Sequence, residues 1–252
     1  PNDNIIDFRE FLYKVINNWF YFLLSIVLAL IIAFGYTRYS HELYKSSTKV
    51  MINKADNNAS AADMMYKSIS GNNSNSIKNE QSLFQSYPLI YQTISDLRFD
   101  ISYYIVGNIK TTETFESPII VVADLLVTQN VKGFWFEISL VDENTYRIEN
   151  QNISLNEEHY FGEILNIKNN EFVINRNHDF IVAPDKSPIT LVKFKNLKNV
   201  ATSYQDKIEL SKIERESTTF DISVLEEDQF KGIAFLNKLT ENYNKNEIDK
   251  KK

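Results

Sequence analysis

Two pairs of adjacent carboxylates, Glu157 with Glu158 and Glu226 with Glu227, are the residues most easily cast as a general acid and base. That chemistry needs two carboxyls in environments different enough to separate their pKa values. Neighbouring acids on polar turns are ordinarily solvated, and neither pair is assigned a catalytic role. The three histidines, His41, His159 and His178, stand far apart and lack the short helical or hairpin spacing of a zinc site. Without cysteine there is no disulfide, thiolate metal site or thiol nucleophile. The six glycines, at positions 35, 71, 107, 133, 162 and 232, never fall into G-x-x-x-x-G-K-[S/T], so this segment has no P-loop for ATP. No catalytic, cofactor-binding or metal-ligating residue is therefore assigned, and no cofactor is expected.

What remains is the chemistry of contact. Tyr103 and Tyr104 could each stack an aromatic face on a sugar ring. They are neighbours on a strand-like segment, where consecutive side chains point to opposite faces, so one should face the core and the other the surface. Arg98, Lys110 and Glu113 are candidates for inter-subunit ion pairs, with an ordinary solvated surface as the plainer alternative. The net charge of −6 lacks the concentrated basic stripe that tracks a phosphate backbone, and nucleic acid is excluded as a partner.

These residues must be positioned by elements that the hydrophobic pattern predicts. From Trp19 to Tyr36 the sequence reads WFYFLLSIVLALIIAFGY without a charge. At a rise of about 1.5 Å per residue, a helix over 19–39 spans a hydrocarbon layer of about 30 Å. Trp19, Tyr21, Tyr36 and Tyr39 sit where interfacial aromatic anchors belong. Ahead of it, Ile5, Phe8, Leu12 and Val15 or Ile16 recur at helical spacing, which suits either an amphipathic turn on the membrane surface or an extension of the spanning helix. Basic residues flank both ends, so charge alone leaves orientation open. Pro1 in place of an initiator Met, and a final helix running out at Lys250, Lys251 and Lys252, suggest a piece of a longer chain.

Beyond the span, YKSSTKVMIN from Tyr44 reads as a strand, and Asn53 to Ser76 as a polar loop with one short helix near Ala61–Ile69. From Ile77 to Leu97 the pattern is helical, with Pro88 either kinking one helix or starting a second. ISYYIVGNIKTTETFE reads as a long strand or a hairpin about Gly107 and Asn108, and PIIVVAD as another strand. Between Phe134 and Val182, short strands about ten residues apart predict an inserted antiparallel module. ITLVKFK, a helix from about Asn196 to Tyr204, the strands KIELSKIE and TTFDISVLE, and a helix from Glu227 onward complete the chain. Glu226, Glu227 and Asp228 suit the start of that helix, and its stripe of Phe230, Ile233, Ala234, Leu236, Asn237, Leu239 and Tyr243 suits core packing, subunit contact or both. The outermost elements could pair in one sheet-and-helix unit.

Three stretches, covering about half the chain, resemble the Wzz-type polysaccharide co-polymerase (chain-length determinant) family, which includes the periplasmic region of bacterial tyrosine kinases of capsule and exopolysaccharide export. They are IIDFREFLYKVINNWFYFLLSIVLALIIAFGYTRYSHELYKSSTKVMI, NEQSLFQSYPLIYQTISDLRFDISYYIVGNIKTTETFESPIIV, and TTFDISVLEEDQFKGIAFLNKLTENYNKNEIDKK. The resemblance implies an α+β architecture of an N-terminal transmembrane helix followed by a periplasmic mixed α/β domain. Residues 1–18 would be a cytoplasmic juxtamembrane segment and 19–39 the transmembrane helix in the bacterial inner membrane. Residues 40–133 and 183–252 would be the two parts of the periplasmic domain, with 134–182 as the β insert. It further implies a homo-oligomer, anchored in inner-membrane lipid, that works with a polysaccharide polymerase or export machinery and possibly with the glycan itself. The terminal helix would lead towards a further arm and a second span, and a tyrosine kinase domain would be a separate cytoplasmic part. A different class, a single-span periplasmic ligand sensor, fits the same anchor and would need a concave pocket with convergent polar groups.

Overall fold

The computed structural model describes residues 8–40, 42–51, 81–167, 169–180, 188–212 and 219–250. It divides into two units, Pro1–His41 and Glu42–Lys252. The segment predicted as a polar loop, Asn53 to Ser76, lies outside the described residues.

The first unit holds α1 (Phe8–Asn17) and α2 (Trp19–Tyr39). Asn18 separates them at φ −110° and ψ 22°, yet its backbone N–H still donates to Lys14 O at 3.1 Å and its side-chain amide to the same oxygen at 2.8 Å. The lead-in is thus a helix of its own, parted from α2 by one residue. No residue of α2 is buried, and Thr37 Oγ1 donates to Ala33 O at 2.8 Å, so that hydroxyl is satisfied within the helix.

In the second unit the chain runs β1 (Tyr44–Met51), α3 (Tyr87–Asp96), β2 (Ile101–Val106), β3 (Thr111–Thr114), β4 (Ile119–Val122), α4 (Leu125–Asn130), β5 (Trp135–Leu140) and β6 (Thr145–Asn150). It continues through β7 (Leu155–Tyr160), β8 (Ile164–Ile167), β9 (Asn170–Arg176), β10 (Ile189–Phe194), α5 (Leu197–Lys207), β11 (Glu209–Lys212), β12 (Thr219–Glu226) and α6 (Gln229–Lys250). Pro88 starts a helix instead of kinking one: a helical turn over 81–84 ends, Ser86 is extended, and α3 carries the proline in its first turn, where no N–H is needed.

Two cores share this unit. In the first, the antiparallel sheet β1-β12-β11 is packed by α3, α5 and α6. Phe84 lies edge-on to Phe220 at 5.4 Å and stacks on Tyr243 at 4.2 Å, and Tyr204 packs on Phe235 at 4.4 Å. The strand nearest the amino end pairs with the last one along its whole length, from Tyr44 opposite Glu226 to Met51 opposite Thr219. The second core lies between a six-stranded sheet, β3-β2-β10-β5-β6-β7, and a three-stranded sheet, β4-β9-β8. Their strands alternate inward and outward residues, and Phe136, Ile148, Phe172, Ile174, Val192 and Phe194 are almost wholly buried where the inner faces meet.

The strands of 134–182 do not close on themselves. β5 pairs with β10 (Val192 opposite Phe136) and β9 with β4 (Val121 opposite Ile174), so flanking strands on both sides complete the same two sheets. Asp228 caps α6, its Oδ1 accepting from the N–H of Phe230 at 2.7 Å and of Lys231 at 3.1 Å. Glu226, expected at that helix start, instead ends β12, buried, and takes Lys207 Nζ at 2.9 Å. Short α4 was not expected; Asp124 caps it through Oδ1 to Leu126 N at 3.0 Å.

Helix α6 comes very close to β1 at Gly232, where an added Cβ would lie 2.7 Å from Ser46 Oγ and 3.2 Å from Ser46 Cβ. Overpacking at such a contact costs about 1–3 kcal/mol. Gly232→Val is expected to lower the unfolding free energy of the detergent-solubilised chain by that amount, and the urea midpoint with it, read by tryptophan fluorescence; an unchanged midpoint would mean the approach is not tightly packed.

Candidate functional site

In the first unit the candidate site is the helix surface itself. Over 21 residues α2 rises about 31 Å, and it is long and apolar enough to cross a membrane. Trp19 and Tyr21 stand near one end and Tyr36 and Tyr39 near the other, each more than 60% exposed. A helix of this length, with Arg38 in its last turn as its one charge and no buried residue, exposes apolar surface that only lipid or protein could cover.

In the second unit, the predicted contact residues divide: Glu113 stands at the seam between the two cores, Tyr103 packs on the sandwich core and Lys110 closes the β2–β3 hairpin. Arg98 sits in the left-handed region at φ 56°, a conformation costing roughly 1–2 kcal/mol for a residue with a Cβ. Its guanidinium holds it there: Nε and Nη2 fork onto buried Asp100 at 3.0 and 3.1 Å, and Nη1 donates to Ala123 O at 2.8 Å. Thr128 Oγ1 also donates to Asp100 Oδ2, fastening α4 to the start of β2. Arg98 is thus engaged within the chain.

Tyr103 and Tyr104 divide between the faces of β2 as strand geometry requires. The Tyr103 ring packs on the sandwich core and its Oη accepts the Val121 N–H at 2.9 Å, joining the two sheets. Burial pushes its hydroxyl up to about 12. Tyr104 lies on the other face, with Lys193 Nζ 4.7 Å and Lys195 Nζ 5.4 Å from its ring centroid. That is cation–π range. Lys110 contributes its carbonyl, which accepts the Gly107 N–H at 3.2 Å and closes the β2–β3 hairpin.

Glu113, on β3, is the centre of the seam. Its Oε1 accepts from Lys231 Nζ of α6 at 2.7 Å and from Lys195 Nζ beyond β10 at 3.1 Å. Lys231 is only 7% exposed and lies 5.0 Å from the Phe99 ring centroid. Burial pushes the Glu113 carboxyl up, but the two ammonium groups together outweigh it and bring it down to about 2. At the start of α6, one turn before Lys231, Asp228 Oδ2 accepts the Phe115 N–H at 2.7 Å, a second tie from this hairpin to the helix.

Two clefts flank the seam. One, of about 460 Å³, lies between Phe99, Phe115 and Val121. The other, of about 580 Å³, opens between α5 and the end of β10 and is lined by Lys132, Lys195, Lys207 and Lys231 with Glu113. Sequence reasoning singled out none of these lysines. Lys231 does leave a signal, a charge beside Phe230 within an apolar helix stripe. Among the described residues no group of three or more His, Asp or Glu side chains could hold a metal.

Because the Glu113 carboxyl is depressed, its contribution to stability is fully present above the ordinary glutamate range and is lost as pH falls towards about 2. The shift corresponds to roughly 3 kcal/mol. Glu113→Gln is expected to lose about that much at pH 7, and its deficit relative to wild type should shrink as pH falls below about 4.5. Urea titrations of both proteins across that range check this; a deficit independent of pH would show that the ion pairs are not its source.

Compared with curated proteins, the chain matches none. Residues 4–97 match the family model described as Wzz, chain length determinant protein, a region that takes in α1, α2, β1 and α3. Over residues 4–97, then, the chain is similar to the Wzz chain length determinant family.

Proposed function

We propose that the chain is a membrane-anchored polysaccharide co-polymerase scaffold. Copies held by α2 assemble side by side, and their 42–252 units together modulate the chain length and export of a cell-surface polysaccharide. The family match supports polysaccharide chain-length determination. The observation that carries the reading is the content of the matched stretch: an apolar helix with nothing buried, followed directly in sequence by the strand that α6 and β12 close over. In this reading residues 1–18 lie in the cytoplasm, 19–39 cross the inner membrane and the rest is periplasmic. The scaffold acts through the geometry of its assembly, and any signal to a cytoplasmic partner passes through the membrane helices. No bond is made or broken by this segment.

The absence of cysteine makes the topology directly testable, because an introduced thiol is the only one present. Glu171→Cys, at an exposed position of β9, is expected to react with a membrane-impermeant maleimide in intact cells, and Asn2→Cys only after lysis. The reverse pattern would overturn the orientation. Detergent-corrected light scattering should give a particle of several protomers, and gene deletion should shift the polymer length distribution. A strict monomer together with unchanged polymer length would remove the scaffold reading and favour a single-span sensor.

A further inference from the structure

We propose that the cleft between α5 and the end of β10 is a binding site for an acidic sugar unit, one carrying a carboxylate or a phosphate. The chain is acidic overall, at −6, yet this concave surface is lined by four ammonium groups and one carboxylate, Glu113. Of the acids nearby that do not line it, Glu226 is taken by Lys207, and Asp228 is occupied in capping α6. Among the residues that line the cleft, four ammonium groups stand against one carboxylate, in a concave place where charge interactions are less screened than on an open surface.

The donors are also incompletely used. An ammonium has three N–H donors. Lys231, 93% buried by its 7% exposure, has one hydrogen-bond acceptor among the described residues, Glu113 Oε1, which it shares with Lys195. Lys132 stands exposed at the rim with no ion-pair partner among the described residues. A carboxylate or phosphate entering here meets donors already aimed and partly desolvated, the arrangement that favours charge-assisted hydrogen bonds.

The volume, about 580 Å³, is far more than one oxyanion fills and lies in the range of small-molecule sites. Its remaining walls include the neutral hydrogen-bonding groups of Asn196, Asn199 and Ser203, over Phe99, Phe194 and Tyr204, which are almost wholly buried. Amide and hydroxyl groups suit the hydroxyls of a pyranose ring. The charge and the volume stand by themselves; the choice of a sugar as carrier of the anion also rests on the co-polymerase reading.

Isothermal titration of the full chain in detergent, at low salt, tests this with glucuronate, glucose 1-phosphate, neutral glucose and inorganic phosphate. At least one acidic sugar is expected to bind more tightly than about 10 mM, which corresponds to a weak single site, while glucose does not. Binding of glucuronate alone, of glucose 1-phosphate alone, or of both identifies the carboxylate, the phosphate, or either as the anion. Lys132→Glu and Asn199→Asp, both exposed, are expected to weaken binding at least about tenfold without lowering the unfolding temperature. The proposal is overturned if neither acidic sugar binds, if glucose or inorganic phosphate binds as tightly, or if both variants bind like wild type. Absence of binding by a particle that is still oligomeric would overturn the cleft alone. Binding by a monomer whose deletion leaves polymer length unchanged would overturn the scaffold reading and leave the cleft standing.

Discussion

The pairing of β1 with β12 is the constraint on which the rest of the second unit depends. It joins Tyr44–Met51 to Thr219–Glu226 residue by residue, closing a loop of more than 160 residues. Such closure is entropically costly, by an amount that grows only slowly with loop length, and the pairing is reinforced from one side by α6, whose Gly232 leaves room for the Ser46 side chain of β1. Everything between, including the whole β sandwich, is held as an excursion from this closed sheet. The strand that follows the apolar helix in sequence is therefore clamped by the last helix described.

A second constraint ties that excursion back. Glu113 on the β2–β3 hairpin receives ammonium groups from α6 and from the end of β10, and Asp228 both caps α6 and accepts the Phe115 N–H. One hairpin is thereby fixed to the α/β core by charge and by backbone. A buried ion pair is weak evidence of net stability but is costly to break from one side, so this seam resists rotation of one core on the other. The same groups form the wall of the basic cleft, so the geometry of the cleft and the rigidity of the seam have one physical origin.

Much of the fold was legible in the sequence. The apolar run fixed α2 because no charge interrupts it for longer than a bilayer is thick. The hairpin at Gly107–Asn108, the helix opened by Pro88 and the Asn196 cap of α5 each follow from local turn and cap chemistry. The six-residue helix α4 escaped notice: it is too short to show a helical period, although Asp124 before Leu125 was a readable cap. Of the candidate site, Tyr103 and Tyr104 were divided between opposite faces by strand geometry alone, but which faced inward could not be read without knowing the partner sheet.

What the sequence by itself determined was the kind and order of elements, because periodicity, caps and breakers act over a few residues. Partners across the chain were decided only in three dimensions. Alternation marks β4, β9 and β10 as strands but says nothing of which sheet takes them, and the sandwich drew in strands from both sides of the segment that reads as an insert. Charge followed the same division. Arg98 and Glu113 read as surface charges, solvated or paired across subunits, and the fold pairs them within the chain with Asp100 and with Lys231, since a charge that loses water at a closing seam needs its counter-charge nearby.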